Sequence, residues 1–167
     1  MFQKIYINPF NRKALQQAVI DEITQGSAEF NYAVTLTFPA KFVKTREEAQ
    51  RQCSKFRDYY NKTFGYKKNH RRAAKHNKKL SAPFAAIIEG DGKNVHWHYH
   101  IALHKPDNLS HERYSQVVNL LWYNALNKQE TRNTVEQIYS NGWAEYITKE
   151  FSTGNTDAID EKNYNVY

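Results

Sequence analysis

Three histidines at alternate positions constrain this chain more than any other feature. His96, His98 and His100 lie in the run from Val95 to Leu103, which is rich in β-branched and aromatic residues and typical of a β-strand. Because successive side chains on a strand point to opposite faces, the three imidazoles share one face. Their Cα atoms are then roughly 6.5 Å apart, so the rings can converge on one divalent cation. The sequence predicts a metal-binding strand face, and the alternative is an ordinary polar face in contact with solvent.

A carboxylate lies on the preceding segment. The apolar run 84–89 predicts a strand that ends at Glu89, and turn-forming residues follow it directly. We therefore predict a hairpin with the histidine strand. If the turn is centred on 91–92 or 92–93, pairing places Glu89 on the histidine face, whereas a slip of one residue places it on the opposite face. A tight hairpin brings Glu89 nearest to His96, which makes both residues candidate ligands beside the other imidazoles.

The rest of the chain shows helical and extended patterns around this hairpin. Apolar spacing predicts helices over 11–25, 46–64, 114–125 and 142–151, and alternation predicts strands over 32–39 and 134–139. Thr45 and Glu48 form a capping box before the second helix, and Ser110 caps the third. No internal repeat is present. We predict one domain over residues 1–167, with 1–10 and 152–167 peripheral.

Composition limits the environment and the partners. The 167 residues suffice to bury a core without metal or disulfide support. An excess of Lys and Arg, 24 against 17 Asp and Glu, gives a net charge of +7 and indicates a polyanionic partner, nucleic acid first. Cys53 is the one cysteine, and its helical spacing with Phe56 predicts a core residue. No apolar run reaches the roughly 18 residues of a membrane span, and we predict a soluble, intracellular protein without a membrane partner.

A basic run is the electrostatic centre of the sequence. No acidic residue occurs from Tyr59 to Ile88, whereas eight cationic ones do. They are Lys62, Lys67, Lys68, Arg71, Arg72, Lys75, Lys78 and Lys79. The run is either a solvated linker or a contact to the nucleic-acid backbone, which would steer DNA without reading its sequence. We predict DNA contacts for its members from Lys67 to Lys79, and for the hydroxyls of Thr35 and Thr37 on the strand 32–39.

Tyr146 and Lys149 lie one helical turn apart in the last helical pattern. Most of the 12 tyrosines in such a chain are packing or surface residues. A phenol is also a weak nucleophile at neutral pH because it is mostly protonated. Tyr146 becomes a candidate nucleophile only in combination with a metal site that polarises the group it attacks. Lys149 would favour the phenolate or position a phosphate.

Three segments in this order resemble the motifs of a known family. They are the strand Val34 to Phe38, the histidine strand, and the segment Tyr146 to Lys149. Together they resemble the HUH endonucleases, specifically the rolling-circle replication initiators with a single catalytic tyrosine. The resemblance runs from about residue 31 to residue 151. Each motif alone is weak, and the specificity comes from their order and element types. Positions 142 and 150, where some relatives carry a second tyrosine, are Gly and Glu here.

The resemblance implies a fold and a reaction. The fold would be α+β and RRM-like, a central antiparallel sheet of about five strands flanked by helices, with the tyrosine helix facing the histidine strand. Tyr146 would attack single-stranded DNA, leave a 5′-phosphotyrosyl end and a free 3′-OH, and rejoin the strand in reverse. The mixed imidazole and carboxylate ligands suit Mn²⁺ or Mg²⁺. The partners would be single-stranded or hairpin origin DNA of a phage or plasmid and the replication machinery, in the cytoplasm of a prokaryotic host.

Two histidine pairs fit the family motif of two histidines around one bulky hydrophobe. Both His96-Trp97-His98 and His98-Tyr99-His100 satisfy it, so His98 is common to each. The apolar run 101–103 that follows favours the pair His98 and His100, and His96 stays a further candidate ligand.

Other functions compete with the nickase. A transposase or a conjugative relaxase of the same superfamily would use the same motifs. A non-catalytic module could bind single strands by stacking bases on Trp97 and Tyr99. A metal hydrolase would use water as its nucleophile. The sequence lacks a Gly-x-x-x-x-Gly-Lys loop, so it predicts no helicase activity in these residues.

Overall fold

One antiparallel sheet flanked by helices forms the α+β fold of the computed structural model, which describes residues 9–26, 29–66, 77–90, 95–149, 151 and 155–166. The helices are α1 (Pro9–Gln25), α2 (Arg46–Thr63), α3 (His111–Ala125) and α4 (Gly142–Ile147), and the strands are β1 (Tyr32–Thr37), β2 (Ala85–Glu89), β3 (His98–Leu103) and β4 (Thr134–Gln137). Single 3₁₀ turns span Lys78–Leu80 and Thr156–Ala158. The described residues thus contain four strands in the sheet, where about five were predicted.

The strand order β2-β3-β1-β4 places the histidine strand inside the sheet, between β2 and β1. All three pairings are antiparallel. Across the β1–β3 ladder, Thr35 pairs with His100 and Thr37 with His98, and across β2–β3, Glu89 pairs with His98. Because paired residues lie on the same face, these five polar side chains share one face of the sheet.

The sheet is covered on both faces, which explains the strands' dense apolar composition. One face packs against α2 and α3 in a core of aromatic and aliphatic side chains. Its members include Leu36, Phe56, Tyr99, Ile101 and Trp122. The other face packs against α1 and α4 through a smaller core that includes Ile20, Ile87, Ala102, Ile147 and Phe151. This second core covers only part of its face, and the polar residues of β1, β2 and β3 continue the same face toward one end.

Helix α2 begins at the predicted capping box. The Thr45 hydroxyl accepts a hydrogen bond from the Glu48 N–H at 3.2 Å, and the Glu48 carboxylate accepts one from the Lys44 N–H at 2.8 Å. A threonine cap of this kind typically stabilises a protein by about 1 kcal/mol. Along the helix, Cys53 and Phe56 are completely buried, so the prediction that the single cysteine belongs to the core is confirmed.

The tail from Asn155 to Val166 lies against the outer edge of β2, contrary to the predicted peripheral position of residues 152–167. Phe84 and Asn165 exchange two backbone hydrogen bonds of 2.8 Å, and the Asp160 N–H donates to the Ala86 carbonyl at 3.0 Å. The tail therefore occupies the edge at which a fifth strand would pair, and it protects that edge through isolated bridges instead of a regular strand.

Buried polar contacts fix the tail, which its polar composition did not predict. The Asp160 carboxyl group accepts hydrogen bonds from Tyr99 Oη at 2.7 Å and from Gln50 Nε2 at 2.9 Å. The Arg57 guanidinium donates to the Asn163 carbonyl at 2.7 Å. Side chains that are polar along the sequence are thus internal in the fold because each finds a partner.

Candidate metal centre and the adjoining tyrosine

Two neighbouring strands bring together a carboxylate and two imidazoles. Glu89 ends β2 opposite His98, and His100 lies two residues further along β3 on the same face. The Oε2 atom of Glu89 is 3.4 Å from His98 Nε2 and 3.8 Å from His100 Nε2. One ligand atom from each residue lies within 4.8 Å of the other two, and the group could hold a metal ion. Glu89 and His100 are buried, at 6% and 5% exposure, whereas His98 is half-buried.

Hydrogen bonds behind the imidazoles aim one nitrogen of each ring at Glu89. His98 Nδ1 is 3.0 Å from the backbone carbonyl of His96, and because a carbonyl only accepts, Nδ1 carries the proton in this bond. A neutral His98 then has its lone pair on Nε2, the atom that faces Glu89. His100 Nδ1 contacts the Thr35 hydroxyl at 3.1 Å and likewise leaves Nε2 toward the carboxylate. Such contacts behind metal ligands orient the rings and set their tautomer.

Gly90 explains how the His96 carbonyl reaches this position. The φ angle of Gly90 is 107°, a conformation that other residues rarely adopt. A Cβ atom on Gly90 would lie 2.6 Å from the His96 carbonyl oxygen. A side chain at residue 90 would therefore displace the carbonyl that orients His98.

Two buried polar atoms of the cluster have no hydrogen-bond partner among the described residues. They are Glu89 Oε1 and His100 Nε2. Leaving a buried donor or acceptor unsatisfied typically costs about 1–3 kcal/mol. A buried carboxylate and a buried imidazole nitrogen with unused hydrogen-bonding capacity lie side by side, so the donor set of one carboxylate and two imidazoles fits a divalent metal ion.

The charge of Glu89 is stabilised by its neighbours. Burial alone would raise the pKa of this carboxyl, but the His100 and His98 imidazoles and the Lys149 ammonium outweigh burial and hold the pKa well below its usual range. The Glu89 carboxylate in turn raises the pKa of His98. The carboxylate is thus ionised across the neutral range, as a metal ligand must be.

Tyr146 and Lys149 lie beside this cluster. The Tyr146 ring meets the His100 ring edge to face, with centroids 5.6 Å apart, and the tyrosine is 55% exposed. Lys149 Nζ lies 4.0 Å from the centre of the Tyr146 ring and 3.6 Å from Glu89 Oε2. An accessible phenol, a cation and the carboxylate–imidazole group therefore occupy one site at the end of the sheet.

Lys149 reaches the site from outside helix α4, which is shorter than the predicted 142–151. The helix ends at Ile147, and Thr148 closes it by donating both its N–H, at 3.2 Å, and its hydroxyl, at 2.7 Å, to the Ala144 carbonyl. Tyr146 is in the last turn. Lys149 follows the turn at Thr148 and is itself helical, so Tyr146 and Lys149 make their contact across the end of α4.

His96 lies apart from the ligand cluster. Among the described residues, the group able to hold a metal contains Glu89, His98 and His100 and excludes His96. The expectation that Glu89 lies nearest to His96 is wrong, because Glu89 pairs with His98. His98 lies two residues beyond His96, an even shift of the pairing that keeps Glu89 on the predicted face. His96 is exposed, precedes β3 and contributes its backbone carbonyl to the site.

The residues that were predicted to contact DNA have different surroundings in the structure. Thr35 supports His100, whereas the Thr37 hydroxyl donates to the Arg132 carbonyl at 2.7 Å and its N–H to Asn133 Oδ1 at 3.0 Å. Five of the basic residues lie outside the described residues, namely Lys67, Lys68, Arg71, Arg72 and Lys75. Lys78 is in a 3₁₀ turn, where only its backbone is described, and Lys79 is exposed.

The two aromatic residues proposed as stacking platforms differ. Tyr99 is completely buried and donates its hydroxyl to Asp160, so it cannot stack on a base. Trp97 is partly exposed beside the core. It lines a pocket with Lys41 and Lys44, two residues that were not predicted to belong to a functional site. In the sequence they are distinguished only by their position just after a strand that ends in proline. Because β1 pairs with the histidine strand, that position lies close to the start of β3.

No protein-family model, curated protein or solved structure matches this chain. The resemblance to HUH endonucleases stays a prediction from three sequence motifs. Within the described ranges, every helix is too short or too polar to cross a membrane.

Proposed function

We propose that the chain is a metal-dependent endonuclease and strand transferase that nicks single-stranded DNA through Tyr146, in the manner of the HUH replication initiators. The observation that carries the proposal is the contact of an exposed tyrosine ring with His100 of a carboxylate–imidazole group. Three segments separated along the sequence meet at this point. Structural tyrosines are usually buried or pack against apolar side chains, so a phenol at the mouth of a metal-binding group supports a reactive role.

The residues present would divide the reaction between them. The Tyr146 oxygen attacks the phosphorus and loses its proton, the bond from phosphorus to the 3′-oxygen breaks, and that oxygen leaves as a 3′-OH after taking up a proton. The product is a 5′-phosphotyrosyl strand, and attack by a 3′-OH reverses the step. Lys149, within 4.0 Å of the ring centre, is placed to favour the phenolate and to neutralise phosphate charge.

Glu89, His98 and His100 would hold Mn²⁺ or Mg²⁺, which suits a mixed oxygen and nitrogen ligand set. When bound, the ion polarises the scissile phosphate and stabilises the charge that develops there. The proposed biological role is initiation of rolling-circle replication of a phage or plasmid at single-stranded or hairpin origin DNA, with host replication proteins as partners. A transposase or relaxase would use the same chemistry on a different DNA.

The test uses a pool of random-sequence single strands incubated with the protein and MnCl₂ and resolved on a denaturing gel. A 3′ label should appear in a slow band that protease treatment removes, because the protein stays attached to the 5′ end of the downstream fragment. A 5′ label should instead appear in a free, shortened fragment. Tyr146→Phe and a metal chelator should each abolish both products.

Tyr139→Phe is the matched control, since Tyr139 is also exposed, at 86%, and lies on the segment before α4. It should leave both products unchanged. Cleavage that persists in Tyr146→Phe would contradict the tyrosine mechanism and indicate a water nucleophile. Binding without any cleavage would favour a non-catalytic binding module.

A further inference from the structure

A second concave site adjoins the metal-binding group at the same end of the sheet. The pocket has a volume of about 240 Å³. The residues that line it include Phe38, Pro39, Lys41, Lys44, His96 and Trp97. Drug-sized ligands occupy pockets of roughly 300–1,000 Å³, so this volume suits a smaller group. The pocket belongs neither to the metal ligands nor to the tyrosine site.

The strand register fixes its distance from the metal-binding group. Thr37 pairs with His98. Two residues of the pocket are their sequence neighbours, since Phe38 follows Thr37 and Trp97 precedes His98. With about 3.3 Å per residue, the pocket begins one residue beyond His98. Phe38 and Trp97 pack on the core that faces α2 and α3, whereas His98 lies on the opposite face. A ligand that extends from one site to the other would therefore bend around the ends of β1 and β3.

The lining combines aromatic walls with a cationic rim. Phe38, Pro39, Val43 and Trp97 supply the apolar surface. Lys41, Lys44 and His96 are exposed at its border, and none of the described lining residues is acidic. The Glu48 carboxylate, which is not part of the lining, accepts a hydrogen bond from the Lys44 backbone N–H. Aromatic side chains that stack bases, beside cations that follow the phosphates, are the pattern by which proteins bind single-stranded nucleic acid.

Lys41 is held in an unusual conformation at this rim. Its φ angle is 63°, in the left-handed region that non-glycine residues seldom occupy. The fold keeps a charged lysine where glycine would relieve the backbone. Lys128 provides a natural comparison, because it is also an exposed lysine with φ of 66° but lines a different pocket, between α2 and α3.

We propose that the pocket binds the base of a nucleotide next to the scissile phosphate, with the base against Trp97 above the buried Phe38 and with Lys41 and Lys44 on the flanking phosphates. The proposal rests on the proposed function, since it assigns a subsite on the same DNA strand. His96 forms part of this subsite and not of the metal site. Seating one base here would bend the strand around the sheet end and present the adjoining phosphate to Tyr146.

The experiment measures binding of the full chain to two labelled strands of equal length, a thymidine homopolymer and an abasic polymer, by fluorescence anisotropy with a chelator present to prevent cleavage. The wild type should bind thymidine more tightly than the abasic strand. Trp97→Leu should reduce that preference about fivefold, the lower end expected for loss of one stacked base. Lys41→Gly should weaken binding to both strands and lower the salt slope of log affinity by about 0.7, as for one lost phosphate contact.

Lys128→Gly is the matched control for Lys41→Gly, because it removes the same charge from the same backbone conformation. It should leave affinity, preference and salt slope at their wild-type values. Thermal unfolding identifies variants that fail to fold. If Trp97→Leu is one of them, the comparison of Lys41→Gly with Lys128→Gly still tests the pocket.

The outcomes separate this subsite from the proposed function. Equal affinity of the wild type for both strands, or equal effects of the two glycine substitutions, would overturn the base pocket alone. An absence of binding to either strand would overturn the pocket and the DNA substrate together. If wild type and Trp97→Leu both form the covalent adduct and show the same base preference, the proposed nickase function stands and the base pocket is refuted.

Discussion

Glu89 pairs with His98 across the β2–β3 ladder, and its Oε2 atom lies 3.4 Å from His98 Nε2. His100 completes the group from the next position on the same face. Because both strands are backed by packed cores, the ligand atoms are positioned before any ion binds, and little conformational entropy remains to be lost on binding. The candidate metal site can therefore be tested separately from the proposed nucleophile Tyr146.

The ligand set makes a prediction about two histidines. His100→Gln should weaken Mn²⁺ binding by at least about 10-fold, because it removes an imidazole whose Nε2 faces Glu89. His96→Gln should leave the affinity unchanged, because this side chain is exposed and lies outside the ligand group. Isothermal titration calorimetry with MnCl₂ measures both. Equal losses in the two variants would mean that His96 also coordinates the ion.

The contact between Thr35 and His100 predicts that metal affinity can fall although no candidate ligand is removed. Thr35→Val keeps the shape of the side chain but removes the hydroxyl that contacts His100 Nδ1 at 3.1 Å. Metal affinity should fall about 10- to 100-fold, as for other contacts that orient a ligand. Thr37→Val is the control, since its hydroxyl bonds to the Arg132 carbonyl instead. An unchanged affinity in Thr35→Val would show that the ring is oriented by packing alone.

The tail contact predicts a loss of stability. Tyr99→Phe removes the hydroxyl that donates to the buried Asp160 carboxyl group at 2.7 Å. The free energy of unfolding should decrease by about 1.5–3 kcal/mol, the range for hydrogen bonds to charged groups. Urea denaturation followed by circular dichroism measures the change. Tyr139→Phe, at an exposed position, should have no effect, and an equal effect in both variants would contradict an integral tail.

Helix α2 predicts a pH dependence. The hydrogen bond from the Lys44 N–H lowers the pKa of Glu48 below that of the unfolded chain. The stabilisation is therefore present above the unfolded value of about 4.5 and is lost as the pH falls. Glu48→Gln should unfold more easily than wild type near pH 7, and this difference should shrink toward about pH 3 in urea titrations. A difference that stays constant across the range would contradict a contribution from the ionised carboxylate.

Local patterns were sufficient for most elements of this fold. The apolar period and the capping box placed α2 almost to the residue, since both act within one helical turn. With the turn centred on 91–92 or 92–93, alternation places Glu89 on the histidine face, and the observed pairing with His98 keeps that face because a shift of two residues preserves parity. A tight turn would place Glu89 beside His96, whereas Glu89 pairs with His98. The pairing of two strands depends on contacts outside the turn that joins them.

Periods of 2 and 3.6 residues in the sequence were sufficient to predict which side chains share a strand face and which segments bury apolar surface. Three features follow from the folded chain alone: Lys149 reaches Glu89 from beyond α4, His96 faces a separate pocket with Lys41, and the polar tail is internal. Each depends on contacts between residues far apart in the chain. Their geometry is fixed by packing of the whole domain, which no local pattern contains.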